Sequence, residues 1–190
     1  MRGARVLIST LLVLAGPPAN ARTCRGVDFP ERLQVEGTSL TLNGLGVRKA
    51  TFLKVNVYVA ALYVTRPSRD AGTLIDSRDL QELTLHFVRA VGASDIRKGW
   101  SEGFERSAGA QLPALQARIA TLNGWMADVQ SGQRLTFVRH AERGIQVSVN
   151  GTLKGTIEGE DFARAFIAIW LGATPPNPEL KNGLLGGACE

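Results

Sequence analysis

Little in this chain could hold a metal ion or run thiol chemistry. Only two histidines and two cysteines occur in 190 residues. They stand far apart and form no C-x-x-C pair, which argues against a zinc site. No G-x-S-x-G, P-loop or Rossmann glycine pattern follows a strand, so the sequence announces no nucleophile elbow and no phosphate cradle. Its 22 Lys and Arg against 17 Asp and Glu are scattered, without the clusters and interleaved aromatics that nucleic-acid binding uses. No apolar run reaches the roughly 20 residues that a membrane-spanning helix needs.

What is present begins with MRGARVLISTLLVLAGPPANA. Arg2 and Arg5 precede an apolar run from Val6 to Ala15, which breaks at Gly16-Pro17-Pro18 and ends in Ala19-Asn20-Ala21. Basic start, short apolar middle and an A-x-A end are the three parts of a secretory signal peptide, with cleavage expected after Ala21. Export through that signal would place the protein in the periplasm or outside the cell. Residues 22–190 then read as one domain, 44% of the whole chain being hydrophobic and 21% charged. Loss of Arg2 and Arg5 lowers the formal charge from +5 to about +3, a mildly basic surface.

The two cysteines, Cys24 and Cys189, sit at opposite ends of that domain. An oxidising compartment and an even count point to a disulfide joining the termini. Lipidation of Cys24 is a second reading, although Ala21-Arg22-Thr23 lacks the small, apolar approach of a lipoprotein signal. Two free thiols are a third.

Periodicity organises the remainder. Leu33 to Val47 reads as extended, and Ala50 to Val64 is a long β-rich run. Leu80 to Val88 alternates, with Leu83, Leu85 and Phe87 on one face and His86 on the other. Ser94 is the expected N-cap of a helix whose Ile96, Trp100 and Phe104 form one apolar stripe. A second helix is expected from Leu112 to Val129, with Glu102 and Glu105 of the first on its solvated side. RLTFVRH, IQVSV and TLKGTI follow as short strands, the last two joined by Asn150-Gly151, a type I′ turn signal. An apolar helix opens after Gly159-Glu160-Asp161 and stops at Gly172, and a Pro-rich turn leads to a last short helix. Strands, helices, a meander and more helices predict an α+β fold, an antiparallel sheet with helices on one face.

GLGVRKATFLKVNVYVAALYV resembles the central strands of the chalcone isomerase fold. SGQRLTFVRHAERGIQVSVNGTLKGTIEGEDFARAFIAIWLGATPPNPELKNGLLG resembles the bacterial branch of that superfamily, and together they span about Val35 to Gly186. The resemblance implies an open-faced β-sandwich with a cleft between sheet and helices. Plant members close a flavanone ring there with an arginine, a threonine and tyrosine that organise a water, and an asparagine and hydroxyl that set specificity. Other members bind fatty acids, the arginine meeting the carboxylate.

Carried over, the arginine falls at Arg48 and the threonine at Leu53, beside Lys54. The tyrosine and asparagine fall near Ile96 and Gly103, and the specificity hydroxyl at Ile169. One polar role survives. The expected cleft is therefore apolar, lined by Leu53, Ile96, Trp100 and Ile169, with Arg48 as its cation. A buried arginine is costly without a partner. That partner is either an internal carboxylate or the head group of an anionic hydrophobic ligand. Lys49 and Lys54 are expected to reach water at the sheet edge.

Three functions follow as expectations: a non-catalytic binder of a fatty acid or similar amphiphile, an isomerase of the chalcone type, and a structural envelope protein with a filled cleft. No cofactor or metal is called for. Protein recovered after export is expected to begin at Arg22 by intact-mass measurement, and a mass retaining residues 1–21 would show an uncleaved anchor instead.

Overall fold

Alternating apolar residues, turn after turn, build a sheet from neighbours in sequence. The computed structural model describes residues 20–50, 53 and 55–190. Residues 1–19, most of the segment expected to be a signal peptide, lie outside them, as do Thr51, Phe52 and Lys54. In chain order the first strands are β1 (Ala21–Cys24), β2 (Val27–Pro30), β3 (Arg32–Val35), β4 (Thr38–Ala50) and β5 (Val55–Val64). Helix α1 (Ala71–Asp76) precedes β6 (Gln81–Phe87), and α2 (Ala93–Ser107) and α3 (Leu112–Gly124) follow. The chain closes with β7 (Arg134–His140), β8 (Gly144–Val149), β9 (Thr152–Ile157), α4 (Glu160–Leu171) and α5 (Pro178–Leu184).

Strands β3 to β9 form one seven-stranded sheet in sequence order, and every pairing is antiparallel. This is the expected α+β architecture. Between β8 and β9, Asn150 and Gly151 take φ of 50° and 76°, the positive pair that a type I′ turn requires.

Strand β5 is buried from Val59 to Val64 because both of its faces are covered there. Ala60, Leu62 and Val64 pack with the helices, while Val59, Ala61 and Tyr63 pack beneath the β1–β2 hairpin with Phe29 and Cys24. That hairpin is too short to show in the sequence pattern. His86 faces the hairpin, edge-on to Phe29, and its Nδ1 accepts from Arg134 Nε at 2.9 Å.

Two helix boundaries differ from expectation for tertiary reasons. Helix α2 starts at Ala93 with Gly92 at its cap, not Ser94. Asp128 Oδ1 accepts from the Ala93 N–H at 2.8 Å, so a residue from beyond α3 satisfies one of the free donors of the first turn. Helix α3 ends at Gly124 rather than Val129, because Val129 exchanges both backbone hydrogen bonds with Val91.

Helix α5 lies directly on β4. A Cβ on Gly44 would stand 2.1 Å from the Gly183 carbonyl oxygen, and one on Gly46 would stand 2.3 Å from that of Leu180. Neither distance admits a side chain. Beyond α5 the chain reaches Cys189, which is bonded to Cys24 of β1 across a Cα–Cα distance of 6.0 Å. A crosslink spanning 165 residues contributes about 4–5 kcal/mol in the chain-entropy description. Between β7 and the helices Arg139 is wholly buried. It donates to the Ile75 carbonyl at 2.8 Å and to Glu160, fastening the end of α1 and the start of α4 to β7.

The α5 contact gives a direct test. Gly46→Ala is expected to lower unfolding free energy by about 1–3 kcal/mol, the usual cost of overpacking, in chemical denaturation. An unchanged midpoint would mean that α5 is free to lift away from β4.

Candidate functional site

Arg48 and Tyr58 are cross-strand partners in the β4–β5 pair. The strand alternation that sends Ala60 and Leu62 to the helical layer sends Tyr58 the same way. Above them stand Ile96 and Trp100 of α2 and Ile169 and Trp170 of α4, brought together by the helical stripes. These residues, with Val57, Leu85 and Phe87 of the sheet, wall a cavity of about 530 Å³. Trp100 is only 5% exposed and packs edge-on against Trp170 and Phe137. Exposed Arg89, Lys98 and Arg106 line the cavity too, with Asp95 and Glu102 among them.

Arg48 is half-buried. Its Nη1 donates to the Asn177 side-chain oxygen at 3.0 Å, to the Lys49 carbonyl and, at 3.5 Å, to the Pro176 carbonyl. Among the described residues no carboxylate comes within ion-pairing distance of it. The internal carboxylate that would have explained this cation by packing alone is thus absent among the described residues. Lys49 is half-buried and its backbone N–H donates to Asn177 at 2.9 Å; Lys54 lies outside the described residues.

Tyr58 Oη accepts a hydrogen bond from Trp170 Nε1 at 3.0 Å. That leaves its own proton free to donate. Burial pushes the phenol above its ordinary range, opposed by the Trp170 bond and by the Arg48 charge. At neutral pH Tyr58 is thus a protonated donor near a permanent cation. It is the one hydroxyl among the described residues of the cavity wall.

Of the residues expected from the sequence, Arg48, Ile96, Trp100 and Ile169 meet in this wall. Leu53 does not. It stands 69% exposed in the turn between β4 and β5, off the cavity. The expectation counted straight along a strand, but the chain turns after Ala50 and the β4–β5 register shifts at Arg48–Lys49. The position matched to the plant asparagine is also closed, since a Cβ on Gly103 would stand 2.9 Å from Ile169 Cγ2.

Tyr58, Trp170 and Asn177 are not among the site residues expected from the sequence. The cross-strand pairing of Tyr58 with Arg48 depends on where the β4–β5 turn falls, and Asn177 is distant in sequence. Gly99 to Gly103 does spell G-x-S-x-G, but inside α2 and not after a strand. It makes no nucleophile elbow, and neither histidine lines the cavity. No group of three potential metal ligands occurs among the described residues.

A curved antiparallel sheet, a helical layer and a cleft with a half-buried arginine, Arg48, in its sheet-side wall define the class. Residues 21–186 match the family described as chalcone isomerase-like, and the chain belongs to that family. A search of curated proteins finds no match. Among solved structures the chain is similar to a fatty-acid binding protein of Arabidopsis thaliana, with a TM-score of 0.71 and 14% identity. The superposition covers 87% of this chain and 96% of the plant protein. At that identity the likeness is one of fold.

The Trp170–Tyr58 bond can be examined by itself. Trp170→Phe removes the donor that holds Tyr58 and is expected to raise the phenol's pKa further by ultraviolet titration, as a bond favouring the anion is lost. A lowered pKa would show that the bond does not act on the phenol as described.

Proposed function

We propose that this protein is an exported, non-catalytic binder of a fatty acid or a similar anionic amphiphile, held in the cavity between the sheet and helices α2 and α4. The observation that carries this reading is Arg48: a half-buried guanidinium with no carboxylate partner among the described residues, beside a protonated Tyr58 and the buried apolar side chains of Ile96, Trp100 and Ile169, in a cavity whose other charged lining residues are exposed. A carboxylate head group would accept from both, and an acyl tail would lie against Ile96, Trp100 and Ile169. The similarity to a protein named as a fatty-acid binder supports the same reading. The disulfide suits an oxidising compartment, as the signal segment does, and no helix of the described residues is long and apolar enough to cross a membrane.

The energetics divide the work. Each buried methylene contributes about 0.8 kcal/mol, whereas a charged hydrogen bond contributes about 1.5–3 kcal/mol. The tail supplies most of the affinity, and Arg48 selects acids over neutral lipids. Calorimetric titration with dodecanoate and dodecanol is therefore expected to separate the two contributions. Arg48→Ala should weaken the acid by roughly ten- to a hundredfold and leave the alcohol nearly unchanged. Equal losses for both would reduce Arg48 to a folding role, and no binding of either by the unmodified protein would end the reading.

A second reading is favoured by one observation. Tyr58 brings a hydroxyl into the cavity near Arg48, as an isomerase of the chalcone type would need. Against it, the matched threonine position is Leu53, in an exposed turn, and the asparagine position is Gly103, with no room for a side chain. Without these groups Tyr58 is the one hydroxyl among the described residues of the wall left to position a water. Absorbance assays on a hydroxychalcone are expected to show only the spontaneous rate. Turnover well above it, lost in Arg48→Ala, would favour the isomerase.

A further inference from the structure

Asn177 sits at the N-cap of α5, where an Asn side chain ordinarily accepts from the N–H of the second or third helical residue. Here it makes no such bond. Its Oδ1 turns instead to β4 and accepts twice, from Arg48 Nη1 at 3.0 Å and from the Lys49 N–H at 2.9 Å. A favourable local cap has been given up for a long-range contact. We propose that Asn177 is the positioning residue of the anion site: it orients the Arg48 guanidinium toward the cavity without neutralising it. This rests on the fatty-acid reading and goes beyond it, since it assigns acid selectivity to a residue outside the cavity wall.

The chemistry favours an amide at this position. A guanidinium carries five N–H donors in a rigid fork. Asn177, Pro176 and Lys49 all take Nη1, and Nε and Nη2 hold no bond to any other described residue. Anchoring one arm stops the fork from rotating and leaves the other donors for a carboxylate. An aspartate could accept the same two bonds, but it would pair the Arg48 charge internally and take this guanidinium away from an acid head group. The reach of Asn177 follows from how α5 lies on β4: Gly183 rests on Gly44 and Leu180 on Gly46, so the start of the helix falls at Arg48.

The test uses Asn177→Asp, which keeps shape and both acceptor contacts, together with Asn177→Ala, each in the full exported chain. Titrated with dodecanoate and dodecanol, Asn177→Asp is expected to lose roughly tenfold or more in affinity for the acid and little for the alcohol. Asn177→Ala should show the same split to a smaller degree. Arg48→Ala should add little on top of Asn177→Asp, because both act through one guanidinium. Retention of the unmodified protein's acid preference in Asn177→Asp would overturn the inference. A readout without ligand separates this from a failure of the fatty-acid reading. In nitrogen-15 spectra, the Arg48 Nη signals are expected to be resolved in the unmodified protein and averaged in Asn177→Ala. Averaged signals in both would overturn the positioning role, whatever the protein binds.

Discussion

Helix α5 rests on β4 at backbone distance, and the cation of the site is held by that contact. Gly44, Gly46 and Gly183 make it possible, because a Cβ at any of them would fall well inside van der Waals contact with the facing backbone. With no side chains between them the two elements cannot slide independently. Asn43 extends the seam, donating from its buried amide to the Leu184 and Ser68 carbonyls and accepting from the Ser68 N–H. At one end of the seam Asn177 meets Arg48, and beyond the other the chain reaches Cys189 and its bond to Cys24. A contact between backbones thus sets both the geometry of the anion site and the closure of the fold.

The cavity exists because a cation and a packed core are placed on the same face of the sheet. Toward β7 and α4 that face is filled by aromatic rings, with Phe104, Phe162 and Phe166 in mutual contact and Trp170 against Phe166. Gly103 lets α2 approach Ile169 closely there. Toward Arg48 and Tyr58 the same packing would bury a guanidinium in hydrocarbon, at a cost no apolar contact repays. The rings stop short, and Trp170 turns its N–H to the Tyr58 hydroxyl. The two arginines on this side of the sheet differ in just this way: Arg139 is matched by Glu160 and sealed in the core, while Arg48 has an amide and two carbonyls and faces an open space.

Strand and helix positions were legible wherever a hydrophobic period ran long enough. Leu83, Leu85 and Phe87 lie on the helical side of β6, Ile96, Trp100 and Phe104 are the buried face of α2, and Asn150-Gly151 makes the turn its composition demands. The misses share a cause. The β1–β2 hairpin and α1 are too short to show a period. Helix α2 begins earlier than its best local cap because Asp128 supplies a donor's partner from a distance, and α3 ends early because Val129 pairs with Val91.

For the site, sequence by itself determined the composition: one arginine in a GVR strand and apolar stripes above it, read from residue type, spacing and a family pattern. Tertiary structure decided the rest. Leu53 left the wall because a turn and a register shift interrupt the strand, and Tyr58 entered it because β5 pairs with β4 at Arg48. Asn177 reached the guanidinium because glycines let a distant helix lie on the strand. Periodicity says which face a residue takes, but which residue of another element it meets depends on register and close approach, and these arise only when the chain has closed on itself.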